Sequence, residues 1–184
     1  MKNLIVVLLI AFLAPILSAQ SKYFTKEGKI SFSSDAPMEK IEAHNRKANS
    51  VLDPASGKME WSVLVKAFQF DKALMQEHFN ENYMESDKFP KAVFKGVVQQ
   101  HDKIDWTKDG AHNVKVKGTL EIHGVTKDVV ADGKITIKGG SISAQSDLTI
   151  AVSDYEIKIP AVVKDNIAKT VKIDIKADYA PLVK

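Results

Sequence analysis

The sequence predicts an all-β fold: an antiparallel barrel of about eight strands with one short helical excursion at Asp71–Asp87. Three observations lead there. Apolar and polar residues alternate with period two through most of the chain after residue 20, as in strands with one face in a core and one in water. Turn residues recur at hairpin spacing. A single stretch abandons the alternation for helix formers. Alternation on one face only argues against a parallel sheet buried on both sides. Closure into a barrel removes the edges that long antiparallel strands would otherwise expose.

The first residues stand apart from this pattern. Met1–Ala19 reads MKNLIVVLLIAFLAPILSA. Lys2 gives a positive start, Leu4–Leu13 is an unbroken apolar run, Pro15 interrupts it, and Ser18-Ala19 supplies small residues. This is the layout of a secretory signal peptide cleaved near Ala19. The apolar run falls short of the roughly 20 residues of a membrane span. Residues 20–184 then form one domain, expected in the periplasm or secreted, with no stable span of its own.

The clearest strand is 114–122, where Val114, Val116, Leu120 and Ile122 share a face. In 142–152 the face is Ile142, Ala144, Leu148, Ile150 and Val152, and in 171–179 it is Val171, Ile173, Ile175, Ala177 and Tyr179. Weaker alternation marks Lys29–Ser33, Ile41–Val51, Met59–Phe70, Val93–Gln100, Val125–Ile137 and Tyr155–Ile159. Asp53-Pro54 with Gly57, Asp109-Gly110, Asp132-Gly133 and Gly139-Gly140 are the turn signals.

Asp71–Asp87, DKALMQEHFNENYMESD, is the exception. Asp71 is the expected N-cap, with Ala73, Leu74, Met75 and Phe79 following. Leu74, His78 and Asn82 share one helical face, and Met75, Phe79 and Tyr83 an adjacent stripe. Glu77, Glu81 and Glu85 read as a solvated face, because like charges four apart repel mildly. Phe89-Pro90 ends the excursion.

Composition excludes much chemistry. The chain has 184 residues, of which 26 are basic and 23 acidic, for a net charge of +3. The charges are mixed rather than collected in a stripe, which argues against nucleic acid. Absence of cysteine excludes disulfides, thiolate metal sites and cysteine nucleophiles. No nucleophile elbow, phosphate loop, dinucleotide fingerprint or H-E-x-x-H is present. His44, His78, His101, His112 and His123 lack the spacing of metal ligands on one element. The expectation is a non-enzyme with no metal and no cofactor.

The aromatic residues carry the remaining signal. Phe68 and Phe70 share a strand face, and Phe79, Tyr83, Phe89 and Phe94 follow closely. They form either the ordinary core beneath a helix or the wall of an apolar cavity with the helix at its mouth. An eight-stranded barrel allows both.

Two motifs extend the reading. The run Met75–Gly96 contains Phe89-Pro90-Lys91-Ala92-Val93-Phe94. The run Val116–Val129 contains Gly118-Thr119-Leu120 and then Gly124-Val125-Thr126-Lys127. Together with Asp154–Ile157 and Val171–Ile173 they resemble the YceI-like family over roughly Met59 to Tyr179. The first third departs from that pattern. After Ile30-Ser31-Phe32 the residues APMEKIEAHNRKANSVLD read as strand where the family has a helical segment.

The resemblance implies a secreted or periplasmic, lipocalin-like barrel that binds polyisoprenoids or related lipids. On that basis the expected cavity wall is Phe68, Phe70, Leu74, Phe79, Phe94, Leu120 and Ile122, with His78 and Asn82 at the mouth. The expected guest is a long apolar lipid such as a polyisoprenoid, an isoprenoid quinone or a fatty-acid derivative. The alternative is a filled barrel acting through a protein partner in the cell envelope. The sequence leaves monomer and homodimer open.

Overall fold

A computed structural model describes residues 22–163 and 165–182, so the expected signal peptide lies outside the described residues. The strands are β1 (Tyr23–Asp35), β2 (Lys40–Asp53), β3 (Lys58–Leu64), β4 (Gln69–Phe70), β5 (Lys91–Val98), β6 (Gly110–Ile122), β7 (Val125–Lys138), β8 (Ser141–Ala151) and β9 (Thr170–Pro181). The helix α1 covers Ala73–His78 and continues as a wider turn over Phe79–Tyr83. All pairings are antiparallel. The order runs β1-β9-β8-β7-β6-β5-β3-β2, and a β1–β2 ladder closes the ring. Eight strands thus form the barrel, and β4 pairs on the upper part of β2 through Ala43↔Phe70 and His44↔Gln69.

Antiparallel order places the connections alternately at two ends. The upper end carries the β1–β2 loop, the helical excursion, the β6–β7 turn and the β8–β9 connection. The lower end carries the β2–β3 turn, the β5–β6 connection, the β7–β8 turn and both ends of the described chain. The lower end is solid: Leu52, Val98, Ile104, Trp106, Ile137, Ile142 and Tyr179 pack there, all buried. Tyr179 is hydrogen-bonded inside this core. Ser50 Oγ donates to the Glu60 carbonyl at 2.9 Å, so the Tyr179 hydroxyl donates to Ser50 Oγ at 2.7 Å.

Burial raises the Tyr179 phenol well above its ordinary value of 10.0. The folded chain therefore keeps a proton that the unfolded chain loses near pH ~10, and stability falls as pH rises through that range. Tyr179→Phe should cost about 1 kcal/mol at neutral pH and flatten that alkaline loss. Thermal melts at neutral pH and above pH ~10 read both effects, and an equally steep alkaline loss in the variant would refute the assignment.

Several local readings differ from expectation. Met59–Phe70 is not one strand: β3 ends at Leu64, and a tight turn over Val65–Ala67 separates it from β4 and leaves Phe68 outside both. Asp71 does not cap the helix; Lys72 holds the N-cap position without a side-chain capping hydrogen bond. Tyr155–Ile159 is not a strand, because the chain leaves β8 in a tight turn, Val152–Tyr155, whose Glu156 is left-handed at φ 56°. Asp132-Gly133 is not a turn but lies inside β7. Gly133 faces the neighbouring strand so closely that a Cβ would stand 2.9 Å from the Gln145 carbonyl oxygen. Glu85 leaves the helical face it was expected to share, adopting φ 43° beyond the helix. In the first third, β2 is a continuous strand, as the alternation of Ile41 and Ala43 implies.

Candidate functional site: an apolar chamber in the upper barrel

Above the solid end the interior is hollow. The cavity measures about 220 Å³. Close-packed interiors have few voids larger than a water molecule, so this is not a packing defect. Its lining is almost wholly apolar, with Lys134, Gln145 and Ser146 the polar members. Every barrel strand except β2 contributes: Ile30 and Phe32 from β1, Trp61 and Val63 from β3, Phe94 from β5, Leu120 and Ile122 from β6, Val129 and Ile135 from β7, Leu148 and Ile150 from β8, and Ile173 and Ile175 from β9. These positions are the inward members of the period-two pattern.

The expected wall residues divide. Phe68, Phe79, Phe94, Leu120 and Ile122 all face the cavity. Phe70 does not. It sits behind the wall, its ring 5.8 Å from Phe32 and 5.0 Å from Phe79. Leu74 is 62% exposed on the outer side of α1. His78 and Asn82, on the same helical face as Leu74, are exposed as well and do not line the cavity. The spacing that grouped these three was correct, but that face looks into solvent. The adjacent stripe turns inward instead, through Phe79, followed by Met84.

Phe32, Phe68, Phe70 and Phe79 form one aromatic cluster, with ring centroids 5.0–5.8 Å apart. Edge-on and offset contacts of this kind add to area burial. The cluster holds the excursion over the upper end. Sequence reasoning missed Trp61, Ile173 and Ile175 as wall residues, although their alternation marks them as inward-facing. Alternation gives a facing, not a height within the barrel.

A polar latch fixes the other side of the cover. His123 and Gly124 form the β6–β7 reversal with φ 53° and 75°, the two positive dihedrals of a type I′ hairpin turn. His123 Nε2 meets Glu85 Oε2 at 2.8 Å and its Nδ1 faces the Tyr155 carbonyl at 3.3 Å. Both partners are acceptors when the carboxylate is ionised, so only the doubly protonated ring donates to both. The Phe89 ring packs edge-on against His123 at 4.6 Å. It also occupies the space above Gly124, where a Cβ would lie 2.6 Å from the ring. The two sequence motifs, Phe89-Pro90 and Gly124–Lys127, therefore meet in space. One reason for their residue types is this contact between the helical cover and the hairpin.

A closed antiparallel barrel, solid at one end and hollow and apolar at the other, defines a lipocalin-like architecture. The family assignment follows from the sequence: the YceI-like domain model matches residues 19–179, and the chain belongs to that family. Among solved structures, a polyisoprenoid binding domain from Saccharophagus degradans implicated in plant cell wall breakdown is similar, at 15% identity and a TM-score of 0.76, covering 88% of this chain and 99% of that one. BcnA of Burkholderia cenocepacia is similar at 19% identity and TM-score 0.69, covering 83% and 96%. The YCEI protein of Campylobacter jejuni is similar at 21% and 0.55, covering 77% and 85%. At these identities the likeness shows the fold alone. Comparison with the curated proteins finds no match.

Proposed function

We propose that this protein sequesters or carries a long apolar lipid in the upper barrel, without catalysis, in the periplasm or outside the cell. A polyisoprenoid, an isoprenoid quinone and a fatty-acid derivative share the required chemistry. The observation that carries the reading is the cavity of about 220 Å³ with a nearly continuous apolar lining. An engineered apolar cavity of about 150 Å³ stays dry and takes up benzene, so a chamber of this size and lining favours an apolar guest over water. The polyisoprenoid-binding description of the S. degradans relative supports the same class. A hollow interior weighs against the filled-barrel alternative. The signal-peptide layout of Met1–Ala19 supports export.

Native mass spectrometry of the protein purified from its own envelope, with solvent extraction, tests the reading. A discrete co-purifying lipid mass is expected. Affinity for a homologous series should then rise about fourfold per added methylene until the chamber is full, since each buried methylene contributes about 0.8 kcal/mol. A clean apo mass that persists after incubation with such lipids would overturn the proposal.

A further inference from the structure

The barrel wall is not sealed all the way round. β7 pairs with β6 without interruption up to Ile122↔Val125, and β8 pairs with β9 up to Ala151↔Thr170. Yet β7 and β8 pair with each other only from Lys138↔Ser141 to Asp132↔Asp147. Above that rung the two strands part. Val125–Ala131 and Leu148–Ala151 share no ladder, although each is held firmly on its other side. Ser146 Oγ donates to the Asp132 carbonyl at 2.7 Å and finishes the last rung. Higher up, the Tyr155 carbonyl facing His123 brings the chain after β8 back to the β6–β7 turn. The result is a window in the side of the chamber, bounded below and above.

The residues flanking the window belong to the chamber wall. Inward residues lower on the same strands, Ile135, Ile137 and Ile142, are 1–2% exposed. Val129, Ala131, Leu148 and Ile150, higher on these strands, line the cavity and are half-buried, as are Leu120, Ile173 and Ile175 on the unbroken parts of the wall. Lys127 stands opposite Leu120 in the β6–β7 register and so shares its facing, but it is exposed. The other routes are obstructed. The lower end is packed, Phe79 and Met84 cover the upper end, and β4 occupies the stretch where β2 leaves β3. Backbone groups of β7 and β8 that point across the window have no strand partner there. A chain passing between β7 and β8 here would break no ladder hydrogen bond.

We infer that the apolar guest enters and leaves sideways through this β7–β8 window rather than through the helix-covered end. The inference rests on the lipid-binding reading above. The protein has no cysteine, so a cysteine pair reports without background. Val130→Cys with Thr149→Cys places one thiol on each side of the window, since continuing the register would set these residues opposite each other. Glu39→Cys with Lys72→Cys, where an ion pair of 2.9 Å now joins the β1–β2 loop to the start of α1, locks the helical end instead. Each pair is closed with a short bis-maleimide, and exchange of the fluorescent fatty acid cis-parinaric acid is followed by stopped flow.

Bridging the window should slow uptake and release together by about tenfold or more while leaving Kd nearly unchanged, because a doorway alters rates and not the bound state. Bridging the helical end should leave exchange at the parent rate. Unchanged exchange with the window bridged, or slowing only with the helical end bridged, would overturn the lateral route and leave the binding reading intact. Failure of the unmodified protein to bind cis-parinaric acid or longer polyprenyl probes would remove the binding reading, and the route with it.

Discussion

Ala144→Phe is expected to abolish uptake of long-chain lipids while leaving the barrel folded. Ala144 faces inward from the middle of β8, opposite Ile135 on β7 and Ala177 on β9, and it lines the cavity. A benzyl group there projects into existing space. The strain of about 1–3 kcal/mol that accompanies overpacking of a filled core is largely avoided. The ring brings no polar atom needing a partner, unlike an indole or phenol. The guest loses the volume it would occupy and the wall it would touch. Titration with cis-parinaric acid and a thermal melt of the same sample read the two halves of the expectation. A melting temperature close to the parent's, with probe binding lost, supports the chamber as the site. Undiminished binding would place the guest elsewhere.

Gly118→Val should have the largest effect on stability. Gly118 on β6 stands opposite Gly96 on β5, whose missing side chain leaves room for the Phe94 ring. A Cβ on Gly118 would lie 2.5 Å from the Gly96 Cα and would also invade the Lys95 carbonyl. The obstacle is backbone, so no rotamer change relieves it. Relief requires β5 and β6 to separate in the middle of a continuous ladder. The cost should therefore reach or exceed the upper part of the ~1–3 kcal/mol range for overpacking, and the branched side chain leaves less room still. Against the ~5–15 kcal/mol that holds a typical domain together, that is a large fraction. Urea denaturation reads it as a lower midpoint. A midpoint equal to the parent's would show that the glycine pair is not required by packing.

The same glycine pair shows what a motif can and cannot convey. Gly118-Thr119-Leu120 announces a strand whose Leu120 faces inward, and that is correct. Why position 118 needs hydrogen for a side chain emerges only when β5 is placed beside it. Phe89 and Gly124 behave likewise. One ends the helical excursion and the other makes a tight turn, both legible locally. Their contact, which ties the cover to the hairpin, joins elements separated by two strands and a long connection.

Sequence by itself determined most strands of this protein and most of their facings. Period-two alternation follows from the pleat, a local property of the backbone, so Val114, Val116, Leu120, Ile122, Ile173 and Ile175 declare their inward side without help from the rest of the chain. It also determined where alternation would fail, at the excursion of Asp71–Asp87. Tertiary structure decided which helical face looks inward. Leu74, His78 and Asn82 share a stripe by 3.6-residue periodicity, but the aromatic cluster around Phe32 engages Phe79 and turns that stripe to solvent. Tertiary structure also decided that the lower barrel is packed and the upper barrel hollow, and that β7 and β8 part above Asp132 and Asp147. A strand's pattern fixes the side on which each residue lies. How far two strands stay paired, and how much space eight of them enclose, depends on the tilt and register of the closed ring, which belong to no single strand.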